Sequence, residues 1–165
     1  MAREAIELDP GNPVAWEQLA SVASDAFQAE ALARVVDQLE RRFPERPLTP
    51  YYAARLAFLR GDAPAAVRLA DAAIARQPRF ARAHNLKGAA LATMGQVDPA
   101  RQAFAQALGH EPRDATAYVN LARLEAERGR LAAARSLYAE ALTVDPASTD
   151  TRRELGLVLE RLNER

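Results

Sequence analysis

The chain of 165 residues has no cysteine, a single lysine and no net charge, and each absence removes a class of explanation. Without cysteine there are no disulfides and no thiolate metal sites, and no indication of redox compartment. Lys+Arg and Asp+Glu both number 22, so the basic footprint of a nucleic-acid or anionic-membrane binder is missing. No uninterrupted apolar run reaches the roughly 18 residues that a spanning helix needs. The Met1 to Asn12 segment carries acids rather than a basic stretch followed by an apolar one, unlike a secretory leader. A soluble chain, cytoplasmic by default, is expected. Lys87 is the only lysine, so nearly all of the basic residues are arginine. With abundant alanine, this is the usage of a GC-rich bacterial genome. The alternative is that arginine was kept for bidentate recognition of carboxylate or phosphate, which its placement must decide.

What the chain does have is punctuation. Pro10, Pro44, Pro78, Pro112 and Pro146 stand 34 residues apart and make up half of its 10 prolines. Gly61, Gly95 and Gly129 share that step, as do Ala66, Ala100 and Ala134, and likewise Ala5, Ala73, Ala107 and Ala141. A fixed period of this size marks one supersecondary unit copied in tandem, so length here counts repeats instead of filling one globular core.

The stretch between Pro112 and Pro146 defines the unit. Tyr118, Leu121, Ala122 and Leu124 fall at helical spacing in its first half. Leu131, Ala134, Leu137, Tyr138, Ala141 and Leu142 do so in the second, following the i, i+3, i+4, i+7 rhythm. Gly129 lies between the halves, where a left-handed residue can end a helix, and Pro146 lies just past the second, which it cannot continue. The unit is predicted to be a hairpin of two amphipathic helices.

This pattern resembles the tetratricopeptide repeat. Tyr118, Leu121, Ala122, Gly129, Ala134, Tyr138, Ala141 and Pro146 meet it in the last full repeat. His84, Gly88, Leu91, Gly95, Ala100, Phe104, Ala107 and Pro112 meet it in the one before, with Lys87 where leucine is usual. The resemblance implies an all-α, right-handed superhelical solenoid of antiparallel helix-turn-helix hairpins. The expected division is a partial repeat 1–12, repeats 13–46, 47–80, 81–114 and 115–148, and a terminal helix 149–165, in a chain cut from a longer protein. Pentatricopeptide repeats run about one residue longer and bind RNA; the step of 34 and zero charge argue against them. Two departures carry expectations. Pro50 and Ala70 hold places expected to be large, so that hairpin should pack closely but thinly. Phe27 stands where the turn glycine belongs and Leu39 where a small residue belongs, so the turn near Ser24 and Asp25 is expected to be non-standard.

Catalysis is not expected. His84 takes the place of a packing aromatic and reads as a buried histidine, while His110, in the last turn of a second helix, reads as a cap. No phosphate loop or metal-ligand spacing appears, and neither cofactor nor metal is expected. The resemblance implies instead that first helices line a concave groove. Its wall would include Glu17, Ser21 and Asp25, then Tyr51, Tyr52 and Arg55, then Arg82, Asn85, Ala89 and Thr93, then Asn120, Arg123 and Glu127. Candidate peptide-binding residues are Tyr51, Tyr52, Arg55, Arg82, Asn85, Asn120 and Arg123, since aromatic and arginine side chains are the usual anchors. The tyrosines could equally fill space left by the alanine-rich second hairpin. Glu17, Tyr51 and Leu86 break the lysine and asparagine pattern of chaperone-tail clamps, and Gln18, Tyr52 and Leu86 break the asparagine ladder of sugar-transferase domains. The expected partner is a protein or peptide with acidic and apolar residues, not nucleic acid or membrane. The alternatives are association of copies through the terminal helices and a regulatory domain of a larger enzyme.

Overall fold

The computed structural model describes residues 2–163; Met1, Glu164 and Arg165, at the outer ends of the first and last predicted segments, lie outside the described residues. These residues form ten helices: α1 (Ala2–Leu8), α2 (Pro13–Asp25), α3 (Ala29–Arg42), α4 (Leu48–Leu59), α5 (Ala63–Arg76), α6 (Ala81–Thr93), α7 (Val97–His110), α8 (Ala115–Glu127), α9 (Leu131–Val144) and α10 (Thr149–Asn163). Starts are written locally. Asn12, Asp62 and Asp114 accept the backbone N–H of Val14, Ala65 and Ala117, satisfying donors that the first helical turn leaves free. Pro13 opens α2, where its missing N–H costs nothing.

The turns within the hairpins are built alike. The N–H groups of Gln28, Asp62, Gln96 and Arg130 each donate to a carbonyl five residues back, on Ala23, Ala57, Leu91 and Glu125, all at 2.9 Å. Closing this loop needs one left-handed residue just before each donor. Gly61, Gly95 and Gly129 supply it at φ 80°, 72° and 74°, and Phe27 at φ 54°. The expected irregular turn near Ser24 and Asp25 is therefore not found: the hydrogen bond holds the backbone in shape, and the phenylalanine bears the strain with its side chain 75% exposed.

Each helix packs on its sequence neighbours, and α2 also touches α4, α4 touches α6, and α6 touches α8. The first helices of the hairpins thus share one inner face, and the array curves around it. The core is divided accordingly: one buried cluster runs from α2 into α6, another joins α6, α7 and α8, and a third joins α8, α9 and α10. The helices approach closely at Gly88, where an added Cβ would come within 2.6 Å of the Phe104 ring. The hairpin expected to be thin is filled from the inner face, because Tyr51 and Tyr52 sit in the same cluster as Ala54, Ala70 and Ala73.

A left-handed non-glycine residue costs about 1–2 kcal/mol, and glycine returns part of that gain through its freer unfolded chain. Phe27→Gly is expected to stabilise the protein by about 0.5–1 kcal/mol, read as a higher urea midpoint. An unchanged or lower midpoint would show that the Phe27 ring makes a stabilising contact.

Candidate functional site

The inner face is stitched by side chains that reach from one first helix to the next. Arg55 of α4 donates through Nε to the Ser24 hydroxyl of α2 at 2.7 Å and through Nη2 to the Ser24 carbonyl at 3.4 Å. Asn120 of α8 donates through Nδ2 to Asn85 Oδ1 of α6 at 3.0 Å. Glu17, expected on the groove wall, is instead buried and gripped by Arg46 before α4, at 2.6 Å from Nε and 3.3 Å from Nη2. That charge-assisted pair raises the Arg46 pKa, the hydrogen bond to Glu17 being the larger cause. At the other end of the array, buried Glu125 accepts from Arg101 at 2.6 Å and Arg130 at 3.2 Å, and the bond to Glu125 raises the Arg101 pKa.

Tyr51 and Tyr52 are only 7% and 3% exposed, so they do not offer the two open flat faces that their sequence positions allow. Their rings meet edge to face at 5.1 Å, and Tyr51 also lies 5.0 Å from Phe80. Above them the Arg82 guanidinium sits 5.4 Å from the Tyr51 centroid and 5.5 Å from that of Phe80, a cation–π arrangement that covers the rings and holds the charge at the surface. Burial raises the Tyr51 hydroxyl above its usual pKa, with Arg55 and Arg82 opposing. Burial likewise raises Tyr52, opposed by a hydrogen bond from Ser21, and it raises Tyr138, where Glu154 adds to the effect.

Arg123 is exposed, beside a hollow of about 260 Å³ on the inner face. Ala89, Ala92 and Thr93 of α6 form one wall and Asn120, Arg123 and Glu127 of α8 the other, with Phe104 and Leu124 also lining it. Sequence reasoning placed Ala89, Thr93, Asn120, Arg123 and Glu127 along the groove but missed the hollow. The available signal was the paired small residues Ala89 and Ala92 facing a long polar helix, with Gly88 admitting Phe104 from below. Arg55, Arg82 and Arg123 have no carboxylate partner among the described residues. His84 is buried and its Nε2 lies 2.9 Å from the Pro78 carbonyl, the bond that Trp16 Nε1 makes with the Pro10 carbonyl at 3.0 Å. The ring of His110, the last residue of α7, lies 5.1 Å from that of His84. Among the described residues no group of three His, Cys, Asp or Glu side chains could hold a metal ion, and no helix is long and apolar enough to cross a membrane.

Stacked helical hairpins with a polar inner groove define a helical-repeat solenoid, a class of fold that commonly mediates protein–protein interaction. Residues 90–151 match the family model described as tetratricopeptide repeat. The chain superimposes on a thermophilic tetratricopeptide-repeat protein of Thermus thermophilus with a TM-score of 0.85 and 24% identity, over 96% of this chain and 87% of that one. It also superimposes on a chain of the Cut9–Hcn1 hetero-tetramer of the APC/C with a TM-score of 0.83 and 18% identity, over 96% of this chain but only 32% of that one. No curated protein matches the sequence.

Two expectations follow from the geometry. Arg55→Ala removes hydrogen bonds to a buried serine and should cost about 1–2 kcal/mol, whereas surface Arg82→Ala should cost under about 0.5 kcal/mol; equal urea midpoints would mean that the Ser24 contacts contribute nothing. The second concerns high pH. The phenols of Tyr51, Tyr52 and Tyr138 resist ionising in the fold, so their contribution is whole below about pH 10, the value of an unhindered tyrosine. It is lost as pH rises through the raised folded values. Alkaline titration should show most tyrosinate absorbance appearing together with loss of helical circular dichroism. A complete tyrosinate band over an intact helical spectrum would contradict the burial.

Proposed function

We propose that the inner groove holds an extended peptide segment of a partner protein, with acidic residues and at least one apolar side chain. The observation that carries this reading is the set of guanidinium groups on one face, Arg55, Arg82 and Arg123, none with a carboxylate partner among the described residues. Arginine offers a carboxylate two parallel donors, and a cation held over aromatic rings keeps its outward donors free. Tyr51 and Tyr52 act as the platform beneath Arg82. Asn85 and Asn120, linked to each other, retain further donors and acceptors for a peptide backbone. The hollow of about 260 Å³ between α6 and α8 takes one apolar side chain against Phe104 and Leu124. On this reading the chain is a scaffold and performs no chemistry.

A second reading, association of copies through the terminal helices, is favoured by Leu157 and Leu159 of α10, which are 51% and 40% exposed. Such a contact is heterologous and can propagate. Sedimentation that stays monomeric to millimolar concentration would remove it.

Selection of a random peptide library on the immobilised protein tests the first reading. The selected peptides should be enriched in Asp and Glu beside a leucine-sized residue. Their affinity should fall at least about tenfold, 1.4 kcal/mol, in the Arg82→Ala/Arg123→Ala variant at unchanged melting temperature. Peptides without acidic enrichment, or binding indifferent to both arginines, would overturn it.

A further inference from the structure

The hollow between α6 and α8 has a filled counterpart between α2 and α4. A shift of 68 residues, two periods, carries Arg55 onto Arg123 and Ser24 onto Ala92. At the earlier junction Arg55 crosses to α2 and commits its Nε and Nη2 donors to the Ser24 hydroxyl and carbonyl, at 2.7 and 3.4 Å. At the later one the serine hydroxyl is missing, and no hydrogen bond ties Arg123 to α6 among the described residues. The residue of α6 itself at this repeat place is Ala89, one period before Arg123. What Arg55 closes is thus left open, as about 260 Å³ lined in part by Ala89, Ala92, Phe104 and Leu124.

Along α8 the lining is ordered. Asn120, Arg123 and Glu127 follow one another on it, spanning about 10 Å at the rise of a helix, or about three residues of extended chain. Asn120 is bonded to Asn85. Arg123 and Glu127 are exposed and form no ion pair with each other among the described residues, although they stand one turn apart. Both nevertheless reach the same point of the inner face as Glu154 of α10: burial raises the pKa of the Tyr138 hydroxyl, Glu154 and Glu127 add to that rise, and Arg123 opposes it. Glu154 has Arg153 at 3.9 Å, whereas Glu127, the one carboxylate in the lining of the hollow, has no cationic partner among the described residues.

We propose that Glu127 is a specificity-determining residue of the groove, and that the slot between α6 and α8 selects a ligand segment in which an acidic and a basic residue flank an apolar one. This inference rests on the peptide-binding reading above and adds the base to it. Arg123 and Glu127 are about 6 Å apart along α8, close to the two-residue step of an extended chain. Side chains alternate along such a chain, so an acid on Arg123 and a lysine or arginine on Glu127 both face α8. The residue between them then turns toward α6, where Ala89 and Ala92 leave room for it. A second acid in place of the base would face Glu127, a repulsive contact that separates mixed-charge segments from uniformly acidic ones.

The probes are dye-labelled, end-capped peptides of glycine and serine with Asp-Leu-Lys or Lys-Leu-Asp at the centre, and the same two with glutamate replacing lysine, titrated with the full chain and followed by anisotropy. At least one lysine peptide should bind at least about tenfold more tightly than its glutamate counterpart. Glu127→Lys, at an exposed position near the end of α8, should reverse that preference at unchanged melting temperature, and Arg123→Ala should weaken the lysine peptide in the parent background. Binding that needs Arg123 but is indifferent to lysine or glutamate in the ligand, and to Glu127→Lys, overturns the basic subsite while the acidic-peptide reading stands. Tighter binding of a glutamate peptide by the unaltered chain overturns it equally. Absence of binding by all four peptides up to millimolar concentration overturns both readings.

Discussion

Close approach of neighbouring helices at positions that admit nothing larger than alanine is the constraint on which this array depends. Ala20, Ala54, Gly88 and Ala122 stand one period apart and are all buried. At Gly88 even a methyl group would strike the Phe104 ring. With the backbones drawn together there, the larger residues beside them interdigitate at the density of a protein interior, and each hairpin presents to the next the same surface that it received. A set of short clusters then does the work of one core, which is how quasi-one-dimensional proteins are held.

Features set by the backbone recur with the period, so they could be read from the sequence. The turn hydrogen bond from Gln28, Asp62, Gln96 and Arg130 requires a left-handed residue before it, and three glycines announce that requirement. Phe27 obeys it silently, because the requirement falls on the backbone rather than on a residue type. Trp16 and His84 make the same point: an indole and an imidazole deliver one bond to the carbonyl of a repeat proline, so a histidine that looks anomalous in the sequence is ordinary in the structure.

Contacts particular to one junction leave no periodic trace. Arg55 finds Ser24 31 residues away, Asn120 finds Asn85 35 away, and Arg101 finds Glu125 24 away. Each pairing occurs once, so no comb reveals it. Position in the first helix puts Tyr51 and Tyr52 on the groove wall, yet the structure buries both rings. The alanines beneath them, Ala54, Ala70 and Ala73, leave room into which the rings sink, and Arg82 closes over Tyr51. The candidate groove thus offers less aromatic surface than its residue list implies, while Arg55, Arg82 and Arg123 lack a carboxylate partner among the described residues.

The inner helices touch one another in succession, α2 to α4 to α6 to α8, and two of those junctions are pinned by side-chain hydrogen bonds. The second helices α3, α5, α7 and α9 make their main contacts with the first helices on either side. The hairpins are therefore coupled mainly through those second-to-first seams, to which the lighter inner contacts and the two hydrogen bonds are added.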